Sequence, residues 1–351
     1  MKRPEPVLPD DDAGLPGPYD RAEAADLWFL PEEPEESLPL PGPAAGRLVE
    51  PEAWRAAEAS LAGELSDLAF EAGRLSERLR GPGPGGVQRL ALEEAAALSW
   101  WTGDRIGSDR LALWLSYRIG AADEGGEGLI RTAWAARRLM APPVASVGTL
   151  VADMLGEAGR GDPAFAQEVA EALSGVTGLA GATRGCAAFH LWRSLDERPD
   201  HLRGLEAAVL ASRLSGTGQG AGLATGQGGL AFLPLALTGF GALTASGAPE
   251  RRLAAWLQGA HRAVLAALMA LDRLALWRAR AETQTADLSG RTPARMIAAL
   301  ATHPMLGAPQ AEAETGASRA AVLRNLDLLE ARGLVREVTG QGRFRVWTAK
   351  L

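Results

Sequence analysis

From Arg291 to Leu351, nine Arg or Lys stand against five Asp or Glu, a local charge of +4 in a chain whose formal net charge is −7. Arg319 and Arg324 fall in Ser318-Arg319-Ala320-Ala321-Val322-Leu323-Arg324-Asn325, and Arg336, Arg343 and Arg345 flank Thr339-Gly340-Gln341-Gly342. Guanidinium groups offer forked donors that suit phosphate oxygens and the major-groove edge of guanine. Ser, Asn and Gln side chains add hydrogen bonds to phosphate or to adenine. The candidate contacts to double-stranded DNA are therefore Ser318, Arg319, Arg324, Asn325, Arg336, Gln341, Arg343 and Arg345. Helical spacing puts Leu323 near the same face, where it would meet a thymine methyl or a protein surface.

Other chemistries find less support. His190, His201, His261 and His303 are scattered, and the one cysteine, Cys186, gives no metal-ligand spacing with them. A single cysteine excludes an intramolecular disulfide and fits a reducing compartment, as a small buried core residue. The run Gly216–Gly229 is glycine-rich, yet it lacks the Gly-Lys-Ser/Thr ending of a phosphate loop and no strand pattern precedes it. It is expected to be a loop, as are Asp123, Glu124 and Glu127 in their Gly-rich turn. No cofactor is expected, and no catalytic residue is assigned.

The arginines need elements to position them. Met296, Ile297 and Leu300 recur at helical spacing and predict a helix over Pro293–Thr302. A second short helix is expected over Gln310–Thr315, ended by Gly316. Ser318 is placed to N-cap a third, Arg319–Ala331, with Val322, Leu326 and Leu329 on one face and Gly333 as its C-cap. Two alternating runs, Leu334–Val338 and Arg343–Trp347, predict a β-hairpin. Three helices and a hairpin over 291–351 make a winged helix-turn-helix, whose third helix enters the major groove. A small subdomain with solvated arginines, or one that docks protein, has the same parts.

Gly316-Ala317-Ser318-Arg319-Ala320-Ala321-Val322, Leu326, Leu329 and Gly333-Leu334-Val335-Arg336-Glu337-Val338-Thr339-Gly340 resemble the C-terminal winged helix of bacterial Fic-related helix-turn-helix proteins. The likeness covers about sixty residues. It implies a degenerate Fic-like helical body joined to a DNA-binding unit, acting as a transcriptional regulator. Ser99-Trp100-Trp101-Thr102-Gly103-Asp104 is similar in placement to the Fic inhibitory Ser-x-x-x-Glu-Gly helix, with Gly103 where that pattern has glutamate. Active Fic proteins carry His-Pro-Phe-x-x-Gly-Asn-Gly-Arg. The only His-Pro here, His303-Pro304, continues Met305-Leu306-Gly307-Ala308 and lies inside the winged helix. The expectation is a non-enzyme, with a divergent nucleotidyl transferase or a docking adaptor as alternatives.

The remaining chain supplies the body. At 351 residues, two or three domains are expected. Residues 1–50 carry twelve Asp or Glu against four Lys or Arg, an acidic proline-rich arm expected to be mostly disordered, with a short docking helix over Tyr19–Leu30. Residues 51–282 form a mainly α body with a Gly-rich loop at 215–229, and 283–290 form a linker. One long helix is expected from Pro51 to Leu79. Others are expected at Val87–Trp101, Ser108–Arg118 with Ser108 as N-cap, Leu129–Met140, Val144–Ala158, Pro163–Leu173, Ala182–Leu195 and His201–Leu214. Leu230–Leu243 predicts a buried helix bent at Pro234. The longest helix, Pro249 to about Arg280, spans ~45 Å and could serve as the seam of a homodimer. No signal peptide or membrane-spanning run is visible, which points to a cytoplasmic protein without a membrane partner.

Overall fold

The computed structural model describes residues 49–81, 84–119, 126–142, 147–156, 163–195, 198–216, 230–341 and 343–351. The expected arm helix over Tyr19–Leu30 and most of the Gly-rich loop lie outside them. The described chain is mainly helical, as composition predicts, with one small antiparallel sheet near its end.

The body contains α1 (Pro51–Ser60), α2 (Ala62–Arg80), α3 (Pro84–Thr102), α4 (Ser108–Tyr117), α5 (Gly126–Met140), α6 (Val147–Gly156), α7 (Pro163–Ser174), α8 (Gly181–Leu195), α9 (Asp200–Gly216), α10 (Gly241–Thr244) and α11 (Pro249–Gln284). The helix expected from Pro51 to Leu79 is kinked into α1 and α2 at Leu61 (φ −111°, ψ 25°). There the Ser60 hydroxyl donates to the carbonyl of Ala57 and to Glu250, drawing the chain out of line. Gly107, not Ser108, is the N-cap of α4, so Ser108 is its first helical residue.

Residues 230–240 correct a sequence expectation. They are not helical, although Phe232–Ala236 are buried, and only Gly241–Thr244 forms a turn of helix. Pro234 removes an amide donor. Instead of an internal ladder, the amides of Leu235 and Ala236 donate to the buried carboxylate of Glu94 on α3, at 2.8 and 2.9 Å. The Leu233 amide donates to the Ser212 carbonyl, and the Ser212 hydroxyl returns a bond to the Leu233 carbonyl. The segment therefore satisfies its backbone by borrowing acceptors from α3 and α9.

The C-terminal unit contains α12 (Thr292–Thr302), β1 (Leu306–Gly307), α13 (Ala308–Thr315), α14 (Arg319–Ala331), β2 (Val335–Glu337) and β3 (Val346–Ala349). Its sheet has the order β1-β3-β2, antiparallel throughout, with Leu306 opposite Trp347 and Arg336 opposite Thr348. β1 was not foreseen. The expected second hairpin run, Arg343–Trp347, instead begins pairing as a strand at Val346, because Phe344 adopts φ +58° and breaks the extended run.

Two hydrophobic cores result, and α11 contributes to both. Leu253, Trp256, Leu257, Val264 and Leu271 pack in the body, whereas Leu274, Trp277 and Ala281 join Met296, Ile297, Leu300, Leu326 and Trp347 in the C-terminal unit. The stretch 283–290 is pinned to the end of α14 by the Arg332–Asp287 ion pair at 2.7 Å.

Candidate nucleic-acid interface

α14 forms because Ser318 supplies its cap and three apolar residues supply its buried face. The Ser318 hydroxyl accepts from the Ala321 amide at 3.4 Å. Val322, Leu326 and Leu329 are fully buried. Its end is a Schellman motif: Gly333 sits at φ +68°, its amide donates to Glu330, and the Leu334 amide donates to Leu329. Gly316, at φ +66°, ends α13 in the same left-handed conformation, so that α13 and α14 are joined by a tight turn. Leu323 is half-buried against this core.

The candidate residues divide by how far the fold commits them. Arg324 and Arg343 are exposed and form no ion pair or hydrogen bond with any described residue. Arg319 is exposed and makes a long pair with Glu312 at 3.4 Å. Gln341 lies exposed in the turn between β2 and β3. Asn325 turns back on its own helix, its Nδ2 donating to the Ala321 carbonyl at 2.8 Å. Arg345 is clamped between Asp327 (3.2 Å) and Glu330 (3.0 Å), with its guanidinium 4.6 Å from the centre of the Trp347 ring. Arg336 pairs with Asp109 of α4, so this guanidinium is directed at the body. The fold thus leaves Arg319 and Arg324 exposed on α14, after the capping Ser318, and Gln341 and Arg343 exposed on the hairpin turn, and it ties Arg336 to the body.

The hairpin turn is held by Glu337. Burial works against its charge, but the Thr339 hydroxyl and the amides of Thr339 and Gly340 donate to it, and its carboxyl stays below the ordinary value. Gly340, at φ +63°, completes the turn. Phe344 escaped sequence reasoning: it is 80 % exposed and projects beside Arg343. The apolar residue interrupting Arg343 and Arg345 was the available signal, but alternation made it look like a strand position.

Besides the Arg336–Asp109 pair, Arg89 and Tyr117 tie the unit to the body. Arg89 of α3 donates through Nη2 to the carbonyls of Leu300 and His303 at the end of α12. The Tyr117 hydroxyl accepts from the Gly307 amide (2.6 Å) and donates to Gln310 (2.9 Å). Elsewhere, the Ser99 hydroxyl donates to the Ala96 carbonyl and accepts from the Ile106 amide, closing the end of α3. Gly103 sits there at φ +95° and Asp104 pairs with Arg131 at 2.6 Å. Cys186 is fully buried, which pushes its thiol up, and burial lowers His190 to about 3, leaving its ring neutral.

No protein-family model matches the chain, and no curated protein matches it.

Proposed function

We propose that the C-terminal unit is a winged helix-turn-helix that binds double-stranded DNA, with α14 as the helix that enters the major groove and the β2–β3 turn as its wing. The observation that carries this is the order helix, strand, helix, helix, hairpin, combined with unpaired Arg324 on α14 and Arg343 on the turn, and Arg319 exposed in a long pair with Glu312, in a +4 segment. Arg319 lies at the start of α14, where recognition helices meet base edges, and Arg343 is placed for phosphate or groove contact. The chain then acts as a homodimeric, cytoplasmic transcriptional regulator. Its helical body, a non-catalytic Fic-like domain, serves dimerisation or sensing.

Selection of bound sequences from a random DNA pool tests the reading. With the selected site, Arg324→Ala should either reduce the salt slope by about 1, for a phosphate contact, or cost about 1–3 kcal/mol and relax one base position, for a base contact. Arg343→Ala is held to the same standard. Selection of no sequence by the full chain, with both variants binding bulk DNA like the parent, would sink it. Half-buried Leu323 and exposed Phe344 favour a second reading, a protein-docking adaptor, whose mark is salt-insensitive partner binding without DNA binding.

A further inference from the structure

A cleft of about 270 Å³ opens where the body meets the C-terminal unit. Its floor is apolar: Leu92 of α3 and Ala112 of α4 from the body, and Met305, just before β1, from the unit; all three are buried. The polar groups around that floor come from two walls, one built by the body and one by the C-terminal unit. On one is Glu93, half-buried, whose carboxylate has no hydrogen-bond or ion-pair partner among the described residues. Burial raises its pKa, and the charges of Arg273 and Arg89 only partly offset that. On the other side are Arg336, already shared with Asp109, and Lys350, whose ammonium is exposed and unpaired among the described residues. Arg89 and Asp109 line the body's wall with Glu93, but the Nη2 of Arg89 is committed to the two carbonyls at the end of α12 and Asp109 to Arg336.

A desolvated carboxylate without a donor is a costly arrangement, and a ligand ammonium would relieve it. A dicarboxylate would set like charge against Glu93, and a simple amine would leave the cationic side empty. The volume of about 270 Å³ falls just below the roughly 300–1,000 Å³ of small-molecule sites, which suits a metabolite of amino-acid size and not a dinucleotide. We propose that this cleft binds a free aliphatic α-amino acid, with its ammonium at Glu93, its carboxylate toward Arg336 and Lys350, and its side chain on the Leu92–Ala112–Met305 floor. Because the two walls belong to the body and to the C-terminal unit, occupancy couples the ligand to their junction. The inference stands apart from DNA binding and is tested without DNA.

The experiment is calorimetric titration of the full chain with L-leucine, 4-methylpentanoate, which lacks the ammonium, and isopentylamine, which lacks the carboxylate. Leucine should bind saturably and at least about tenfold more tightly than either analogue. Glu93→Gln, which removes a poorly solvated charge and should fold, is expected to weaken leucine about tenfold or more with its circular dichroism unchanged. Equal binding of either analogue, unaltered affinity in Glu93→Gln, or no saturable heat at millimolar leucine would each overturn the proposal.

Discussion

Arg324 and Arg345 carry the same side chain to different ends. Arg345 is bound to Asp327, Glu330 and the Trp347 face, so it fastens the hairpin to α14. Arg345→Ala should cost on the order of 1 kcal/mol, since its ion pairs are partly solvated and the ring contact adds a similar increment. Arg324→Ala should leave the unfolding midpoint where it is; thermal unfolding of the two variants makes the comparison. Residue types made all five arginines candidates, but their partners could not be read in sequence. Asp109 lies 227 residues from Arg336, and nothing local announces the pair. Glu94 is a second residue whose role only the fold defines. Burial raises its carboxyl to about 7, with the amides of Leu235, Ala236 and Leu237 opposing that shift. Its folded pKa lies above the ordinary 4.5, so its contribution to stability is present below about pH 4.5 and is lost as pH rises through 7. The loss should be on the order of 3 kcal/mol. Glu94→Gln keeps a carbonyl oxygen for the two amides and cannot titrate. Urea unfolding from pH 4.5 to 7.5 should show parent stability declining relative to this variant; parallel curves would refute the assignment.

At the scale of elements, apolar spacing served for most helices and failed over Leu230–Leu243. Val322, Leu326 and Leu329 recur at three and four, and α14 runs from Arg319 to Ala331 as its pattern predicts. The run Leu230–Leu243 is apolar without a period. Its conformation is decided by Pro234 and by acceptors on Glu94 and Ser212, distant in sequence. β1 is two residues long, too short to leave a pattern. Close helix contacts are also invisible in one chain. Gly185 of α8 lies so near α9 that an added Cβ would fall 2.6 Å from the Ala211 carbonyl oxygen and 2.0 Å from the Ser215 hydroxyl. Backbone cannot yield as a flexible side chain can. Gly185→Ala should therefore destabilise by about 1–3 kcal/mol, the usual cost of overpacking, measured as a lowered denaturant midpoint with an unchanged slope.

At the scale of the whole chain, no helix among the described residues is long and apolar enough to cross a membrane. The candidate site was legible as a parts list, because caps, glycines and apolar spacing are local signals; its attachment to the body was not. Leu265, Met269 and Leu276 lie exposed on α11 at spacings of four and seven, a stripe on one face of the helix. If the proposed dimer uses it, sedimentation at micromolar protein should show a dimer, and Met269→Glu with Leu276→Glu should give a monomer. A parent that sediments as a monomer would remove this seam. α11 also has a mechanical side. One unbroken rod of 36 residues carries side chains of both cores, so neither core can come apart without stripping a wall from the other. Heating should thus melt body and C-terminal unit in a single calorimetric transition. Scission after residue 283 would leave a fragment without Leu274, Trp277 and Ala281, and the Leu334 carbonyl would lose the 2.7 Å bond from the Trp277 indole. Any twist imposed at one end of that rod is delivered to the other as torque rather than dissipated in a hinge.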